Sequence, residues 1–238
     1  MFSLVIPCFN EIENLKFYKK TFISYLNQNI NNEVVFVDNG SSDNSFEYLN
    51  SNFSKFSNVK IIKIVNNLGY GNGFYQGILK SKFDYVSWIH ADLQVNLNDI
   101  LTGYRIFNDY IKKNELIYVK GLRKKRNLID STFTFFMSIL VSLIFFKKIN
   151  DINSTPNILN KKIFHNIKNI PKDFNFELFC YLLSIKLNYK IIRFDVLYKN
   201  REKGFSKWNI NFFSKFILSY KIIKFTLYLR FKGFQKLT

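Results

Sequence analysis

The chain has 238 residues, of which 47% are apolar and only 3 are proline. This length fits one large α/β domain, or one domain with an appendage, and the apolar content excludes a largely disordered chain. The net charge of +18 is uneven, since residues 1–100 carry 8 basic and 9 acidic residues whereas residues 101–238 carry 27 and 8. Such a basic half indicates a polyanionic partner, namely nucleic acid, anionic lipid or a phosphorylated substrate.

The first hundred residues alternate between strands and helices. Strands are predicted at 2–7, 33–38, 59–65 and 84–89, and helices at 10–28, 45–53 and 74–81. Largely apolar strands between helices are typical of a parallel sheet that is covered on both faces. Ligands bind outside the carboxyl ends of such strands. Polar residues follow each strand there and predict a site at this edge: Asn10, Glu11, Asp38, Asn66, Asn67, His90 and Asp92.

The second half is less regular. Helices are predicted at 99–113 and near 174–187, and strands at 116–121 and 190–198. The uncharged run 131–146 has 16 residues, which is short for a membrane span. We expect a catalytic domain over residues 1–207 and a basic, aromatic helical segment over 208–238 that associates with a membrane, although this segment packing on the domain is the alternative.

Neither the cysteines nor the N-terminus indicates export. Cys8 and Cys180 have no metal or redox spacing, which favours a reducing compartment. Residues 1–7 lack a basic region and have too short an apolar core for a signal peptide.

The stretch His90-Ala91-Asp92-Leu93-Gln94 follows the fourth strand. If it is extended, His90, Asp92 and Gln94 share one face. Magnesium takes one or two protein oxygens and completes its octahedron with water and substrate phosphates. The segment therefore fits a divalent ion that bridges a nucleoside diphosphate, and equally a strand-end turn with a solvated aspartate.

Five segments follow one another along the chain: SLVIPCFNEIENL, VVFVDNGSSDNS, NLGYGNGFYQGI, DYVSWIHADLQ and NREKGFSKW. In order and spacing they resemble family 2 glycosyltransferases of the GT-A fold, and within it the dolichyl-phosphate mannose synthase and polyprenyl-phosphate glycosyltransferase branch. The resemblance implies an α/β, Rossmann-like, mainly parallel sheet flanked by helices. It also implies inverting transfer of a sugar from a nucleoside-diphosphate sugar.

The resemblance assigns the nucleotide-sugar contacts. Pro7, Phe9 and Glu11 are expected to contact the base and ribose, with Phe9 in the place of the family's tyrosine. Asp38 is expected to make a further base or ribose contact, and Asn39 stands where the family has a second acid. Ala91 is expected to lie against the sugar nucleotide.

The family's metal motif D-A-D-L-Q corresponds to residues 90–94. By this resemblance Asp92 and Gln94 bind Mg²⁺ or Mn²⁺. His90 replaces the first acid, and because imidazole suits magnesium poorly we expect it beside the sugar rather than on the metal. A preference for Mn²⁺ is a side hypothesis.

Two basic loops resemble the family's phosphate-binding loops. Arg123 of GLRKKR is expected to bind an anion, and Arg201 and Lys207 of REKGFSK to bind the diphosphate, where guanidinium and ammonium groups stabilise the departing charge. Gly204 permits a tight turn between these two cations. Asp92, Arg201 and Lys207 are thus the expected catalytic residues.

The expected acceptor is a polyprenyl phosphate, whose oxygen is already anionic and needs no general base. The run 131–146 and the segment 208–238 suit a lipid and an anionic membrane surface. We therefore expect a cytoplasmic protein, peripheral at the inner face of the cell membrane. Two alternatives are a transferase acting on a lipopolysaccharide or capsule hydroxyl, with Asp151 as the base, and a non-catalytic relative that binds nucleotide sugars. Nucleic acid is not expected, since it would not explain the five ordered segments.

Overall fold

A computed structural model describes residues 1–126, 128–204 and 212–234, with the side chains of residues 129 and 212–216 excepted. Within these residues one sheet of seven strands is flanked by eight α-helices. The strands are β1 Ser3–Cys8, β2 Glu33–Asn39, β3 Val59–Ile64, β4 Tyr85–Trp88, β5 Ile117–Lys124, β6 Asn157–Asn160 and β7 Lys190–Leu197. The helices are α1 Ile12–Phe17, α2 Lys19–Gln28, α3 Ser45–Phe53, α4 Tyr70–Lys80, α5 Leu97–Ile111, α6 Leu128–Phe145, α7 Asn175–Lys186 and α8 Phe212–Lys232.

The strand order is β3-β2-β1-β4-β6-β5-β7. All neighbouring pairs are parallel except those that involve β6, which runs antiparallel between β4 and β5. The predicted, mainly parallel sheet with flanking helices is confirmed. The carboxyl ends of β1, β2 and β4 consequently lie side by side.

The sheet separates two large cores because alternate residues of each strand face opposite sides. Leu4 and Ile6 of β1 pack with Phe36 on one side. Val5 packs with Phe74 of α4 on the other side. Helix α4 approaches the sheet closely, and a side chain on Gly77 would meet the Val5 side chain at 2.3 Å.

Three element predictions need correction. The helix expected over 10–28 is divided at Tyr18, whose backbone leaves the helical region at φ −92°, ψ 10°. Helix α4 begins at Tyr70, four residues before the expected start, so the glycine-rich stretch belongs to it. Strand β6 was not predicted.

A charged pair is buried beneath β5. The Lys120 ammonium donates to the Ser154 carbonyl and the Asn157 side chain at 2.6 Å, and to Glu177 at 3.0 Å. Burial lowers the pKa of Lys120 to about 8, while the Glu177 charge opposes this shift. Glu177 also accepts from the Trp88 indole at 2.8 Å. These bonds tie the segment between Asp151 and Asn157 to the sheet and to α7.

The C-terminal helix α8 packs against α6 and α7. Ile222 and Leu229 are buried there, and the ring of Phe234, just beyond the helix, lies 5.8 Å from that of Phe179 between centroids. The predicted domain boundary at residue 207 lies outside the described residues and stays a prediction. In the described part of the chain, no helix has the length and apolarity needed to cross a bilayer.

Candidate active site

The carboxyl ends of β1, β2 and β4 open onto a cavity of about 540 Å³ that reaches across to α6 and α8. The structure brings most of the predicted site residues together in its wall, namely Pro7, Phe9, Glu11, His90, Ala91, Asp92, Gln94, Arg123 and Arg201. Lys207 lies outside the described residues. Loops from both halves of the chain therefore meet at one site.

Asp38 lies apart from this wall. It is buried at the end of β2, and burial raises its pKa above the ordinary value. Its neighbour Asn39 lines the cavity instead and donates to the Gly69 carbonyl at 2.9 Å. The structure thus presents an amide to the cavity at this strand end, and the nucleotide contact assigned to Asp38 stays a prediction.

The segment after β4 is a turn. Leu93 has a positive φ of 44°, and its amide bonds back to the His90 carbonyl at 3.4 Å. The segment is therefore not extended, and the alternation of His90, Asp92 and Gln94 that an extended segment would give does not occur. All three still line the cavity, since the turn carries them around its rim.

Asp92 and Glu11 share one cation. Arg201 donates to Glu11 Oε2 at 2.5 Å and to Asp92 Oδ2 at 3.2 Å. The side chains of all three residues are less than one-fifth exposed. Burial raises the pKa of Asp92 above its ordinary value, and the Arg201 charge opposes that shift. The loop after β7 is thereby joined to the loops after β1 and β4.

His90 pairs with a tyrosine rather than an acid. Its Nε2 lies 3.2 Å from the Tyr70 hydroxyl, and the Tyr70 ring stacks on Phe174 at 4.4 Å between centroids. Burial lowers the pKa of His90 to about 4. The imidazole is therefore neutral at physiological pH, where the family has a carboxylate.

Gln94 is held by the end of β7. Its Oε1 accepts from the Tyr198 hydroxyl at 2.8 Å, and its Nε2 donates to the Lys199 carbonyl at 3.0 Å. The Tyr198 ring lies under two guanidinium groups, those of Arg123 at 5.2 Å and Arg126 at 5.7 Å. Tyr198 therefore connects the turn after β4 with the arginines at the end of β5.

Those arginines surround Asp151. The Arg123 guanidinium bonds to both Asp151 oxygens, and the Arg123 amide donates to Oδ2 at 3.0 Å. Arg126 lies 3.9 Å from the same carboxylate and donates to the Thr134 hydroxyl at 2.7 Å. Although burial raises the pKa of Asp151, the Arg123 guanidinium holds it below the ordinary value. Two cations thus share the Asp151 carboxylate, and the Asp130 carboxylate of α6 lines the cavity near Arg126.

Apolar side chains line the far end of the cavity, next to these arginines. They come from α6, from the loop before β6 and from α8, and they are Phe133, Met137, Ile152, Leu218 and Ile222. The cavity therefore has a polar end at β1, β2 and β4 and a cationic and apolar end at α6 and α8.

Of the two predicted metal ligands, Asp92 presents a carboxylate to the cavity, and the metal contact of Gln94 stays a prediction. Gln94 Oε1 already accepts a hydrogen bond, and His90 Nε2 faces Tyr70. Among the described residues no three His, Cys, Asp or Glu side chains form a metal-binding group. One carboxylate is nevertheless sufficient where diphosphate oxygens and water complete the shell, which is the usual habit of magnesium. The donor set therefore fits a metal that arrives with a diphosphate.

Sequence reasoning missed Tyr70, Tyr198 and Arg126. Tyr198 directly follows β7, so the rule that ligands gather at carboxyl ends of strands could have found it. Tyr70 lies in the glycine-rich stretch 69–73, and Arg126 ends a run of four basic residues, which in a loop is usually solvated. Burial, which the sequence does not reveal, separates Arg126 from those neighbours.

Comparison with known proteins identifies one family. The model of glycosyl transferase family 2 matches residues 3–152. A dolichyl-phosphate beta-glucosyltransferase of Dictyostelium discoideum is 29% identical over 137 residues, which cover 54% of this chain and 41% of that protein. A poly-beta-1,6-N-acetyl-D-glucosamine synthase of Staphylococcus epidermidis is 26% identical over 125 residues, or 52% and 29% of the two chains. This chain spans less than half the length of these relatives.

Solved structures share the fold. Glucosyl-3-phosphoglycerate synthase of Mycobacterium tuberculosis, crystallised with Mn²⁺, uridine diphosphate and phosphoglyceric acid, superposes with a TM-score of 0.70. The alignment covers 97% of this chain and 78% of that one at 13% identity. The likeness confirms the predicted GT-A type of fold.

Proposed function

The chain belongs to glycosyl transferase family 2, and we propose that this glycosyltransferase moves a sugar from a nucleoside-diphosphate sugar to a polyprenyl phosphate. The observation that carries the proposal is the cationic and apolar end of the cavity. An acceptor with one phosphate on a long apolar chain matches arginines beside Met137, Leu218 and Ile222 in both charge and polarity.

The polar end suits the donor. Pro7 and Phe9 offer apolar surface for a base, and Glu11 offers a carboxylate for ribose hydroxyls. Asp92 would hold a Mg²⁺ or Mn²⁺ ion, which when bound supplies positive charge to the departing diphosphate. Arg201 lies beside Asp92 and would contribute a guanidinium to the same diphosphate. Lys207 is proposed to act there too.

The acceptor end supports an anionic nucleophile. Asp151, the carboxylate expected to act as a base on a sugar hydroxyl, is bonded through both oxygens to Arg123, and its pKa is held low despite burial. A carboxylate in this state is a poor proton acceptor. A phosphate oxygen is anionic at neutral pH and needs no base, so Asp151 is assigned to hold Arg123 in place.

The surface of α6 and α8 supports attachment to a membrane. Large apolar side chains are exposed on both helices, among them Phe136, Leu143, Phe146 and Phe231 at 63–79% exposure. Exposed cations lie beside them and are Lys147, Lys148, Lys221, Lys224, Arg230 and Lys232. Apolar groups that enter the acyl boundary, with cations at anionic head groups, would bring the acceptor end to the lipid. This surface overlaps the predicted segment 131–146 and the described part, 212–234, of the predicted segment 208–238, and would place the chain at the inner face of the cell membrane.

The test is an assay with radiolabelled UDP-, GDP-, CMP- and dTDP-sugars, Mn²⁺ and vesicles that contain a polyprenyl phosphate. Labelled product that extracts into organic solvent, and that requires the lipid phosphate, is the expected result. Transfer to soluble oligosaccharide acceptors with none to the lipid phosphate would overturn the proposed acceptor and favour the sugar-hydroxyl alternative.

A further inference from the structure

The Arg201 guanidinium lies between the carboxylates of Glu11 and Asp92. It pairs with Glu11 Oε2 at 2.5 Å and Asp92 Oδ2 at 3.2 Å, the two carboxylates nearest the proposed donor site. We propose that Arg201 is the resident counter-ion of this site, so that the site excludes a free divalent cation and admits one only together with a diphosphate. The inference rests on the proposed function, because it assigns the donor end of the cavity to a metal-bound diphosphate.

Burial makes a counter-ion necessary for these two carboxylates. The side chains of Glu11, Asp92 and Arg201 are 17%, 7% and 19% exposed. A carboxylate as buried as Asp92 is destabilised when no cation is near it. Gln94 and His90 are directed to Tyr198 and Tyr70, and in the part of the chain that the structure describes Arg201 is the cation that pairs with both carboxylates.

The balance of charge then determines what the site takes up. Glu11, Asp92 and Arg201 together carry one net negative charge. A free divalent cation would turn this into a net positive charge and place metal and guanidinium against the same carboxylate, where like charges repel strongly at low dielectric. A diphosphate that arrives with the metal supplies compensating negative charge and gives the guanidinium a new bidentate partner. Joint binding is therefore favoured over binding of the metal alone.

The position of Arg201 in the chain suits such an exchange of partners. It lies after β7, outside helices and strands, and its Nε donates to the Lys203 carbonyl at 2.9 Å. Gly204 follows with a φ of +66°. The loop backbone thus holds the Nε edge of the guanidinium, and the Nη1 and Nη2 groups that bond to the carboxylates are the ones that would pass to a diphosphate.

The experiment measures Mn²⁺ binding to the full chain by the electron paramagnetic resonance signal of the free ion, with the metal alone and with saturating UDP. For the wild type we expect weak binding of Mn²⁺ alone and binding strengthened at least tenfold by UDP. Arg201→Ala should bind Mn²⁺ alone about tenfold more tightly than the wild type, because one neighbouring like charge is removed. With UDP present, the wild type should instead bind Mn²⁺ more tightly than Arg201→Ala. Inorganic pyrophosphate in place of UDP should give the same reversal.

Lys203→Ala is the matched control. It removes a cation from the same loop, and the Lys203 ammonium lies over the Phe17 ring at 5.4 Å rather than on Glu11 or Asp92. It should match the wild type in both titrations. Arg201→Lys keeps the charge and loses the bidentate fork, so it should still bind Mn²⁺ alone weakly but gain less from UDP.

Equal affinity of the wild type and Arg201→Ala for Mn²⁺ alone would overturn the inference. Thermal unfolding shows whether Arg201→Ala folds. If it does not, the titration of the wild type is the test, because tight binding of Mn²⁺ without UDP would contradict the inference. Failure of the proposed function is distinguishable: no turnover with any donor, together with the reversal in metal binding, would leave the counter-ion role intact. Turnover with the lipid phosphate but without this reversal would support the proposed function and overturn the counter-ion role of Arg201.

Discussion

Replacing Asp151 with asparagine tests how the acceptor end is built. The Asp151 carboxylate bonds to the Arg123 guanidinium and backbone amide, and both side chains are only 9% exposed. Asp151→Asn keeps the size and one acceptor oxygen but removes the charge. Arg123 is then left as a buried cation with weaker bonds, beside a second cation at Arg126.

The expected loss of stability follows from this burial. Removing one partner of a buried ion pair costs about 3 kcal/mol. For a domain of this size, each kcal/mol lowers the melting temperature by roughly 2–4 °C, so Asp151→Asn should melt about 6–12 °C lower at pH 7. Asp195→Asn is the matched control, because it removes the partner of the adjacent Lys124 in an exposed pair. An exposed pair contributes less than about 1 kcal/mol, so the control should melt near the wild type.

The pH dependence has a definite sign. The folded pKa of Asp151 lies below its ordinary value, so its contribution to stability is complete above about pH 4. It is lost as the pH falls through the folded pKa, when the carboxyl becomes protonated. The difference in stability between the wild type and Asp151→Asn should therefore shrink in acid, as measured by urea unfolding at pH 7 and near pH 3.

Kinetics separate this role from that of a base. If Asp151 positions Arg123, Asp151→Asn should raise KM for the lipid phosphate severalfold and change kcat much less. A fall in kcat of a hundredfold or more with KM unchanged, or equal melting temperatures for Asp151→Asn and Asp195→Asn, would refute this reasoning.

Three further changes test other parts of the molecule. Asp92→Ala removes the proposed metal ligand and should reduce kcat/KM on the order of a hundredfold or more, with the fold unchanged by circular dichroism. Tyr198→Phe removes the 2.8 Å bond to Gln94 but keeps the ring; kcat/KM for the donor should fall severalfold, whereas Tyr189→Phe should have no effect. Gly77→Ala places a methyl group 2.3 Å from Val5 and should cost about 1–3 kcal/mol in urea unfolding.

Much of the first half of the fold could be predicted from the sequence, because its signals are local. Apolar runs indicated β1, β2 and β4, and the helix predicted over 45–53 has the observed bounds of α3. The position of the site followed from a property of parallel sheets rather than from any one residue. Strand β6 could not be predicted in this way. It has four residues, of which two are asparagine. It forms because it pairs with β4 on one side and β5 on the other.

The details of the site depend on contacts between distant segments. The bonds of Gln94 to Tyr198 and Lys199, and of Arg201 to Glu11, join residues more than a hundred positions apart. A motif indicates which residue types gather, but the direction of each side chain depends on its neighbours across the cavity. For this reason the family's metal motif predicted a loop that lines the cavity and left the orientation of Gln94 undetermined.

Burial divides the cations of the basic half into two groups. Arg123, Arg126 and Arg201 lie around the cavity, are mostly buried and each stands within 4 Å of a carboxylate. Lys221, Lys224 and Lys232 of α8 are exposed beside apolar side chains. A rigid guanidinium fork suits carboxylate and phosphate oxygens, whereas a hydrated ammonium on a flexible stem suits a surface. Salt screens exposed charges far more than buried pairs. Added salt should therefore weaken attachment of the protein to anionic vesicles at concentrations that leave binding of the sugar-nucleotide donor largely intact.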